Sequence, residues 1–193
     1  MSFYFSRTAV LAASLATSLA ALPILGFAQS SMSADPMVGG SAMYPTRNII
    51  QNAVNSKDHT TLVTAVKAAG LVATLEGPGP FTVFAPTNEA FAALPSGTVS
   101  TLLKPANKAE LTKILTYHVV AGKYDTADLV SLIKKDGGAA ALSTVAGPNL
   151  VFSLSKTGGV EVTDDKGDVA DITIADVNQS NGVIQVVDKV LLP

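Results

Sequence analysis

The residues best suited to acid–base or metal chemistry in this 193-residue chain are two histidines and a short run of aspartates. His118 titrates near neutral pH, so it could serve as a base, a ligand or a pH-dependent switch. It shares one face of a helical pattern with Leu111, Ile114 and Leu115, which places it in or at the edge of a core. We therefore predict a structural histidine held by a hydrogen bond, with a base acting beside a carboxylate as the alternative. The preceding Tyr117 is predicted to be half-buried with its hydroxyl bonded.

The sequence does not indicate a metal centre or a nucleophile. His59 belongs to a different helical pattern from His118, no cysteine is present, and no histidine pair has metal-ligand spacing. The acidic stretch "DDKGDVAD", residues 164–171, has Lys166 at its third position and Gly167 too early for an EF-hand, so a solvated hairpin turn is predicted. No Gly-x-Ser-x-Gly elbow occurs, and "GPGP" lacks the lysine of a phosphate loop. We predict no catalytic residue, no metal and no cofactor.

Composition excludes another class of function. The net charge is −2 at pH 7 and the hydrophobic fraction is 48%. Basic residues are scattered apart from the pair Lys134 and Lys135, so no surface for a phosphate backbone is predicted and nucleic acid is excluded as a partner. The length suits one domain with a substantial core. Because there is no cysteine, packing rather than disulfides must stabilise that domain.

The N-terminus has the pattern of a secretory signal peptide. Arg7 precedes "TAVLAASLATSLAALPILGFA", whose small terminal residues predict a signal peptide over residues 1–28 with cleavage after Ala28. An uncleaved membrane anchor is the alternative, although Pro23 interrupts the run and no charged flank follows it. With no cysteine for lipid attachment and nothing after "DKVLLP", we expect a soluble, monomeric protein without a membrane anchor, in the periplasm or outside the cell.

The remaining chain divides into segments that differ in composition and in the spacing of their apolar residues. Residues 29–45, rich in Ser, Gly, Met and Pro, are predicted to be a mobile leader, and residues 46–193 to form the domain. Helical spacing dominates the first part of this domain, and alternation with turn-forming clusters dominates from residue 139 onward. Helices followed by strands predict an α+β fold, in which the final strand returns beside an earlier one.

Several short signals predict helix ends. Asp58 and Thr98 are predicted N-caps, and Asn107 with Glu110 three residues later forms a capping-box pattern. Gly70 is predicted to end a helix in the left-handed conformation.

The segment "FTVFAPTNEAFAALP", residues 81–95, predicts a sharp join between a strand and a helix. Pro86 stops the strand, Thr87 is placed to cap the helix, and Glu89 lies in its first turn, where a negative charge is favourable. The side chains predicted to be buried at this join are Phe84, Phe91 and Leu94.

Three ordered segments resemble the signatures of the fasciclin (FAS1) domain family. They are "FTVFAPTNEAFAALP", "LTKILTYHVVAGKY" and "SNGVIQVVDKVLLP", and the resemblance covers about residues 46–193. It implies a wedge of β-strands with a layer of several short α-helices, used without catalysis for adhesion and matrix contact. It also implies partner-binding roles for Tyr117 and His118, which match a pair associated with cell attachment, and for Asp176 and Val177, which lie where some members carry an Asp-Ile pair linked to integrin binding.

Two functional hypotheses follow. The first is a non-enzymatic exported module that mediates adhesion through its folded surface, with a protein or polysaccharide of a cell surface or matrix as its partner. The second is a periplasmic small-ligand-binding or chaperone-like protein that uses a crevice between the helical layer and the strands.

Overall fold

The computed structural model describes residues 35–193, so the predicted signal peptide and the first residues of the predicted leader lie outside the described part. The helices are α1 (Ile49–Ala53), α2 (Thr60–Ala69), α3 (Val72–Glu76), α4 (Asn88–Ala92), α5 (Thr98–Leu102), α6 (Lys108–Tyr117) and α7 (Thr126–Lys135). The strands are β1 (Met37–Val38), β2 (Ser41–Ala42), β3 (Phe81–Pro86), β4 (Val119–Ala121), β5 (Ala139–Ser143), β6 (Asn149–Leu154), β7 (Val160–Thr163), β8 (Val169–Gln179) and β9 (Gly182–Val187).

Seven of these strands form one sheet in the order β4-β3-β9-β8-β7-β6-β5. The pairs within it are antiparallel except for β3 with β9, which is parallel and aligns Phe81 with Gly182 through Pro86 with Val187. The final strand is therefore inserted between β3 and β8. This confirms the predicted α+β arrangement and the return of the last strand beside an early one.

The two end strands of this sheet approach each other. The Val145 N–H, just after β5, donates to the Val119 carbonyl at 2.8 Å, and Val120 pairs with Thr144 as an isolated bridge. The sheet thus curls almost into a barrel, which satisfies backbone groups that an open edge would expose.

Apolar side chains pack on both sides of β3 and β9. One cluster lies under α1, α2, α3 and α6, and includes Ile50, Leu62 and Leu115. A second lies under α7 and the C-terminal strands, where Phe84 stacks at a tilt on Phe152 with ring centroids 5.2 Å apart. The change of side-chain period near residue 139 thus corresponds to a change from a helical layer to a strand meander.

The join between β3 and α4 is as predicted. Thr87 Oγ1 accepts a hydrogen bond from the Ala90 N–H at 3.2 Å, and Glu89 lies in the first helical turn. Phe84 and Phe91 are buried, whereas Leu94 is half-buried rather than buried, because α4 ends at Ala92 and leaves it beside the following turn.

The caps of two helices differ from prediction. Asp58 does not cap α2; the side chain that does so is Asn88, whose Oδ1 accepts from the Thr61 N–H at 3.0 Å and from Thr60 Oγ1 at 3.2 Å. Asn107 directs its amide to the Thr101 carbonyl and makes no side-chain cap. A tertiary contact thus replaces the predicted local cap of α2, whereas α6 begins without a side-chain cap.

Other helix ends match or shift by one residue. Gly70 ends α2 with φ 77°, as predicted. Helix α5 begins at Thr98 itself, without a side-chain cap, because the left-handed Gly97 precedes it. Helix α7 is capped by Asp125, whose carboxylate accepts from the Asp128 N–H while Asp128 reaches back to the Asp125 N–H.

Replacing Asn88 with alanine should lower the free energy of unfolding by about 1–2 kcal/mol, because α2 loses its cap and Asn88 Nδ2 no longer donates to the Lys57 carbonyl. The matched control is Asp58→Ala, which removes an exposed side chain without a cap bond and should change stability by less than about 0.5 kcal/mol. Urea denaturation measures both. Equal effects of the two variants would contradict the assignment of the cap.

The folded unit extends further toward the N-terminus than the predicted boundary at residue 46. Strands β1 and β2 form a hairpin, and Val38 and Met43 are buried in the same cluster as the first helices. The described part of the predicted leader is therefore packed against the domain. The sequence did not predict this packing because a two-residue strand is too short to show alternation. The groups that hold the segment in place also lie outside it: the Asn52 side chain, for example, bonds both the N–H and the carbonyl of Tyr44.

Candidate functional site

Tyr117 ends α6 with its side chain fully buried. Its hydroxyl donates to the Asn149 carbonyl at 3.0 Å and accepts from the Asp165 N–H at 2.9 Å. Burial raises the pKa of the phenol, partly offset by the Asp165 N–H. The prediction of a bonded hydroxyl is confirmed, but the side chain is wholly rather than half buried, because it lies between β6 and the β7–β8 turn.

His118 follows as a buried residue with both ring nitrogens bonded. Its Nε2 accepts from the Leu191 N–H at 3.0 Å, so Nε2 carries no proton and Nδ1–H donates to the Ile114 carbonyl at 2.8 Å. Burial lowers its pKa to about 4, against smaller opposing effects of the Ile114 carbonyl and of Asp164. His118 is thus neutral at pH 7 and structural, as predicted.

Asp164 is a carboxylate whose charge raises the pKa of both Tyr117 and His118, and its two oxygens are also fully engaged in hydrogen bonds. One oxygen accepts from the Lys166 and Asp168 N–H groups at 3.0 and 2.9 Å, and the other accepts from the Leu192 N–H at 2.9 Å. The hairpin turn predicted for the acidic stretch is confirmed, but Asp164 is buried in it rather than solvated.

Together these side chains hold the C-terminal segment and leave no free base. His118 and Asp164 each accept a backbone N–H from consecutive residues, Leu191 and Leu192. A proton-abstracting role would need an open lone pair on the ring or the carboxylate aimed at a substrate. The geometry therefore supports a clamp on the C-terminal segment and gives no support to the alternative of an enzymatic base.

Asp176 lies at a break in the register between β8 and β9, with φ 57°, a conformation that aspartate tolerates better than most residues. Its Oδ1 accepts from the Thr126 N–H at 2.7 Å and from Gln185 Nε2 at 2.9 Å, and its own N–H donates to Gln185 Oε1. This half-buried carboxylate thus binds the first turn of α7 to the sheet. The neighbouring Val177 is fully buried.

The four predicted partner-binding residues do not form one surface. Tyr117, His118 and Val177 present no side chain to solvent, and Asp176 is committed to α7 and Gln185. Contact with a partner through the three buried side chains would require the domain to open. These four residues are buried or engaged because they lie near the ends of α6 and β8, where the helices are joined to the sheet.

The outer surface of the C-terminal strands is different. The registers align Ala141, Val151, Thr163 and Val169 across β5, β6, β7 and β8 on the face that points away from the core. Val151 and Val169 are each 38% exposed. We call these four residues the outer-face row.

Beside the outer-face row, two carboxylates occupy directly opposed positions. Glu161 of β7 pairs with Asp171 of β8 in the antiparallel register, on the same outward face. Like charges at such positions repel across about 5 Å and destabilise a sheet. A partner that brings positive charge to these two carboxylates would relieve the repulsion between them.

Within residues 35–193, no group of three or more metal-ligating side chains comes together. The helices of this same part of the chain are too short or too polar to cross a lipid bilayer.

Comparison with known proteins shows which family has this architecture. The model of the fasciclin domain matches residues 57–193. The chain belongs to the fasciclin family. The three segments that resemble fasciclin signatures lie within the matched residues, and they form β3 with α4, most of α6 with β4, and β9 with the terminal segment.

Similar fasciclin-family proteins come from bacteria and animals. The chain is 47% identical over 157 residues to Protein sll1483 of Synechocystis sp., covering 81% of this chain and 79% of that protein. It is 36% identical over 146 residues to Immunogenic protein MPB70 of Mycobacterium bovis, covering 73% and 66% respectively. It is 39% identical over 132 residues to Transforming growth factor-beta-induced protein ig-h3 of Sus scrofa, covering 68% of this chain and 17% of that protein.

A solved structure of the family has the same fold. A FAS1 domain pair from the insect cell adhesion molecule Fasciclin I superposes with a TM-score of 0.68 over 76% of this chain and 51% of that one, at 18% identity. Sequence reasoning on this fasciclin domain missed Gln185, Asn88 and the Glu161–Asp171 pair. Their partners are distant in the chain, and only knowledge of the strand register would have aligned Glu161 with Asp171.

Proposed function

We propose that this protein is an exported, non-enzymatic fasciclin module that mediates adhesion to a cell surface or matrix. The observation that carries the proposal is membership of a family in which one member of the same fold is a cell adhesion molecule. The signal-peptide pattern of residues 1–28 supports export. The engagement of His118 and Asp164 in backbone hydrogen bonds is consistent with a role that depends on shape rather than turnover.

The contact surface we propose is the outer-face row together with Glu161 and Asp171. Val151 of β6 and Val169 of β8 are exposed on either side of Thr163 of β7 and offer apolar surface, and the adjacent Glu161 and Asp171 offer negative charge. This combination favours a protein partner that presents lysine or arginine beside apolar side chains, over a neutral polysaccharide, because complementary charge determines both the encounter rate and the register of an interface.

Attachment assays with cells that lack the gene test this function. We expect deletion to reduce attachment to other cells or to coated surfaces, and the unaltered gene to restore it. Restoration should fail with a Val151→Lys/Val169→Lys double variant, because lysine replaces the apolar strip and repels a basic partner.

The matched control is Val54→Lys, which changes a valine that is 48% exposed in the helical layer and should restore attachment fully. Circular dichroism should show that all three variant side chains are tolerated. Attachment that is unchanged by deletion would contradict the adhesive function, whereas restoration by the double variant would contradict the proposed surface alone.

A further inference from the structure

The seven-stranded sheet closes only partly between its two end strands, β4 and β5. An isolated bridge joins Val120 of β4 to Thr144, just after β5. Beyond this bridge the Gly122 N–H donates to the Pro80 carbonyl at 2.9 Å, which turns the chain after β4 toward β3. Strand β5 starts well before the bridge, at Ala139. The first residues of β5 therefore form a sheet edge that β4 does not cover.

The hydrogen bonds around β5 show which of its backbone groups point to this edge. The Thr144 N–H donates to the Pro148 carbonyl at 3.1 Å, so in the antiparallel register of β5 with β6 the even-numbered residues of β5 bond β6. The N–H and carbonyl groups of Ala139 and Ala141 therefore point away from β6. No donor or acceptor of residues 35–193 bonds these groups. Both alanines are exposed, so the edge is open to a second strand.

The edge lacks the features that usually keep sheet edges apart. Natural edges carry prolines, charged side chains or bulges, whereas residues 137–143 read "GGAAALS" and include no proline and no charge. The side chains beside the free groups are those of Ala139 and Ala141, which are too small to hold a second strand away. Alanine also offers no pocket for a partner's side chain, so the edge cannot select a foreign peptide by its sequence. Recognition at this edge must depend on the backbone.

The free backbone groups of the edge complement themselves. An antiparallel pairing can place Ala139 of one copy opposite Ala141 of another, so that each free N–H meets a free carbonyl. A twofold axis at Ala140 then generates the second, identical pair, as in an isologous dimer. The paired segment, residues 139–141, stops short of Thr144, where β4 covers the chain. Neither copy therefore has to release β4.

We propose that β5 is a self-association edge, through which two copies of this chain pair antiparallel at Ala139 and Ala141 and form a dimer with one continuous sheet. The contact is small, so the dimer is weak and forms at high protein concentration. Such a dimer departs from the monomer expected from the sequence. The pairing does not depend on the adhesive function, because it uses the edge of the sheet and not its outer face.

The register of this dimer can be tested by disulfide trapping, because the chain has no cysteine. Ala139→Cys protein and ¹⁵N-labelled Ala141→Cys protein are mixed in equal amounts and oxidised, and the cross-linked dimers are identified by mass spectrometry. In the proposed register the Cα atoms of positions 139 and 141 of opposite copies are about 5.5 Å apart, within the range of a disulfide. Identical positions are offset by two residues and lie about 7–8 Å apart, which is too far.

The expected product of this oxidation is the mixed dimer. It should exceed each homodimer at least about fivefold, since only the mixed pair has disulfide geometry, whereas random collision gives about a twofold excess. Thr173→Cys provides the control, because it places an exposed cysteine on the outer face of β8, away from the edge. This variant should cross-link more slowly than the mixture.

Sedimentation velocity measures the association without any cysteine. Between about 10 µM and 1 mM the unaltered protein should pass from monomer toward dimer. Ala141→Pro should stay monomeric, because proline removes a free N–H and places its ring at the edge while the bonds to β6 are kept. The matched control is Ala141→Thr, which keeps the N–H and should associate like the unaltered protein.

Three results would overturn the proposal: an unaltered protein that is monomeric at the highest concentration, an Ala141→Pro variant that associates as the unaltered protein does, or a mixed disulfide dimer in no more than the random excess. If circular dichroism shows that Ala141→Pro does not fold, the disulfide trapping decides the question alone. A monomer at every concentration would leave the adhesive function standing, since attachment assays test that function separately.

Discussion

Replacing Phe84 with alanine is expected to lower the free energy of unfolding by roughly 3–5 kcal/mol. Phe84 is fully buried in β3, its ring packs on Phe152, and its backbone N–H donates to the His118 carbonyl at 2.8 Å. Alanine would keep the backbone bond but leave a cavity at the junction of the two halves of the sheet. Close-packed surroundings cannot collapse into such a space without strain.

Chemical denaturation monitored by circular dichroism measures this cost. Phe91→Ala, in the cluster beneath the helical layer, should be destabilising in the same range, because Phe91 is also buried. Val151→Ala provides the control: it removes side-chain atoms from the same strand as Phe152, but from the exposed face, and should cost less than about 1 kcal/mol. Wild-type midpoints for both phenylalanine variants would show that these side chains do not support the core.

Stability is expected to fall by about 3 kcal/mol as the pH is lowered from 6.5 to 4 because of His118. The folded protein holds this ring neutral with a pKa of about 4, against a pKa of 6.5 for the free side chain. Between these two values the unfolded chain binds a proton that the folded protein does not. The contribution is therefore fully present above pH 6.5 and is lost as the pH falls toward 4. Below about pH 4 the folded ring is protonated as well, so Nε2 no longer accepts from the Leu191 N–H and the loss levels off.

Urea denaturation at a series of pH values gives the slope of unfolding free energy against pH. His118→Gln is the matched variant, since a glutamine oxygen can accept from the Leu191 N–H without titrating in this range. The slope should fall to the smaller contribution of His59, whose pKa is also lowered by burial. A slope that is unchanged in His118→Gln would assign the pH dependence to other groups.

The sequence was sufficient where short-range rules decide the structure. Pro86, Thr87 and Glu89 predict the β3–α4 join because the cap and the strand stop are local events. The burial of His118 followed from its position on the apolar face of α6. The order of helices and strands, and the family signatures within them, likewise predicted an α+β fasciclin fold.

Sequence reasoning was insufficient where distant residues meet. Asn88 caps α2 across 27 residues, and the local alternative Asp58 was therefore chosen wrongly. The sequence predicts a solvated turn at Asp164, because the hydrogen bond from the Leu192 N–H to its carboxylate cannot be inferred without knowing where the C-terminal segment lies. The predicted contact residues Tyr117 and His118 are buried for the same reason: the segment that covers them is remote in sequence.

The position of β9 has a consequence for synthesis of the chain. Because β9 lies between β3 and β8, the central parallel pair forms between residues about a hundred positions apart. A ribosome must therefore release nearly all of the domain before β3 gains its second neighbour, and topologies of this kind fold slowly. A nascent chain that stays unfolded until then would suit the export that we propose, and a product truncated before Gly182 would leave one edge of β3 unpaired and open to proteolysis.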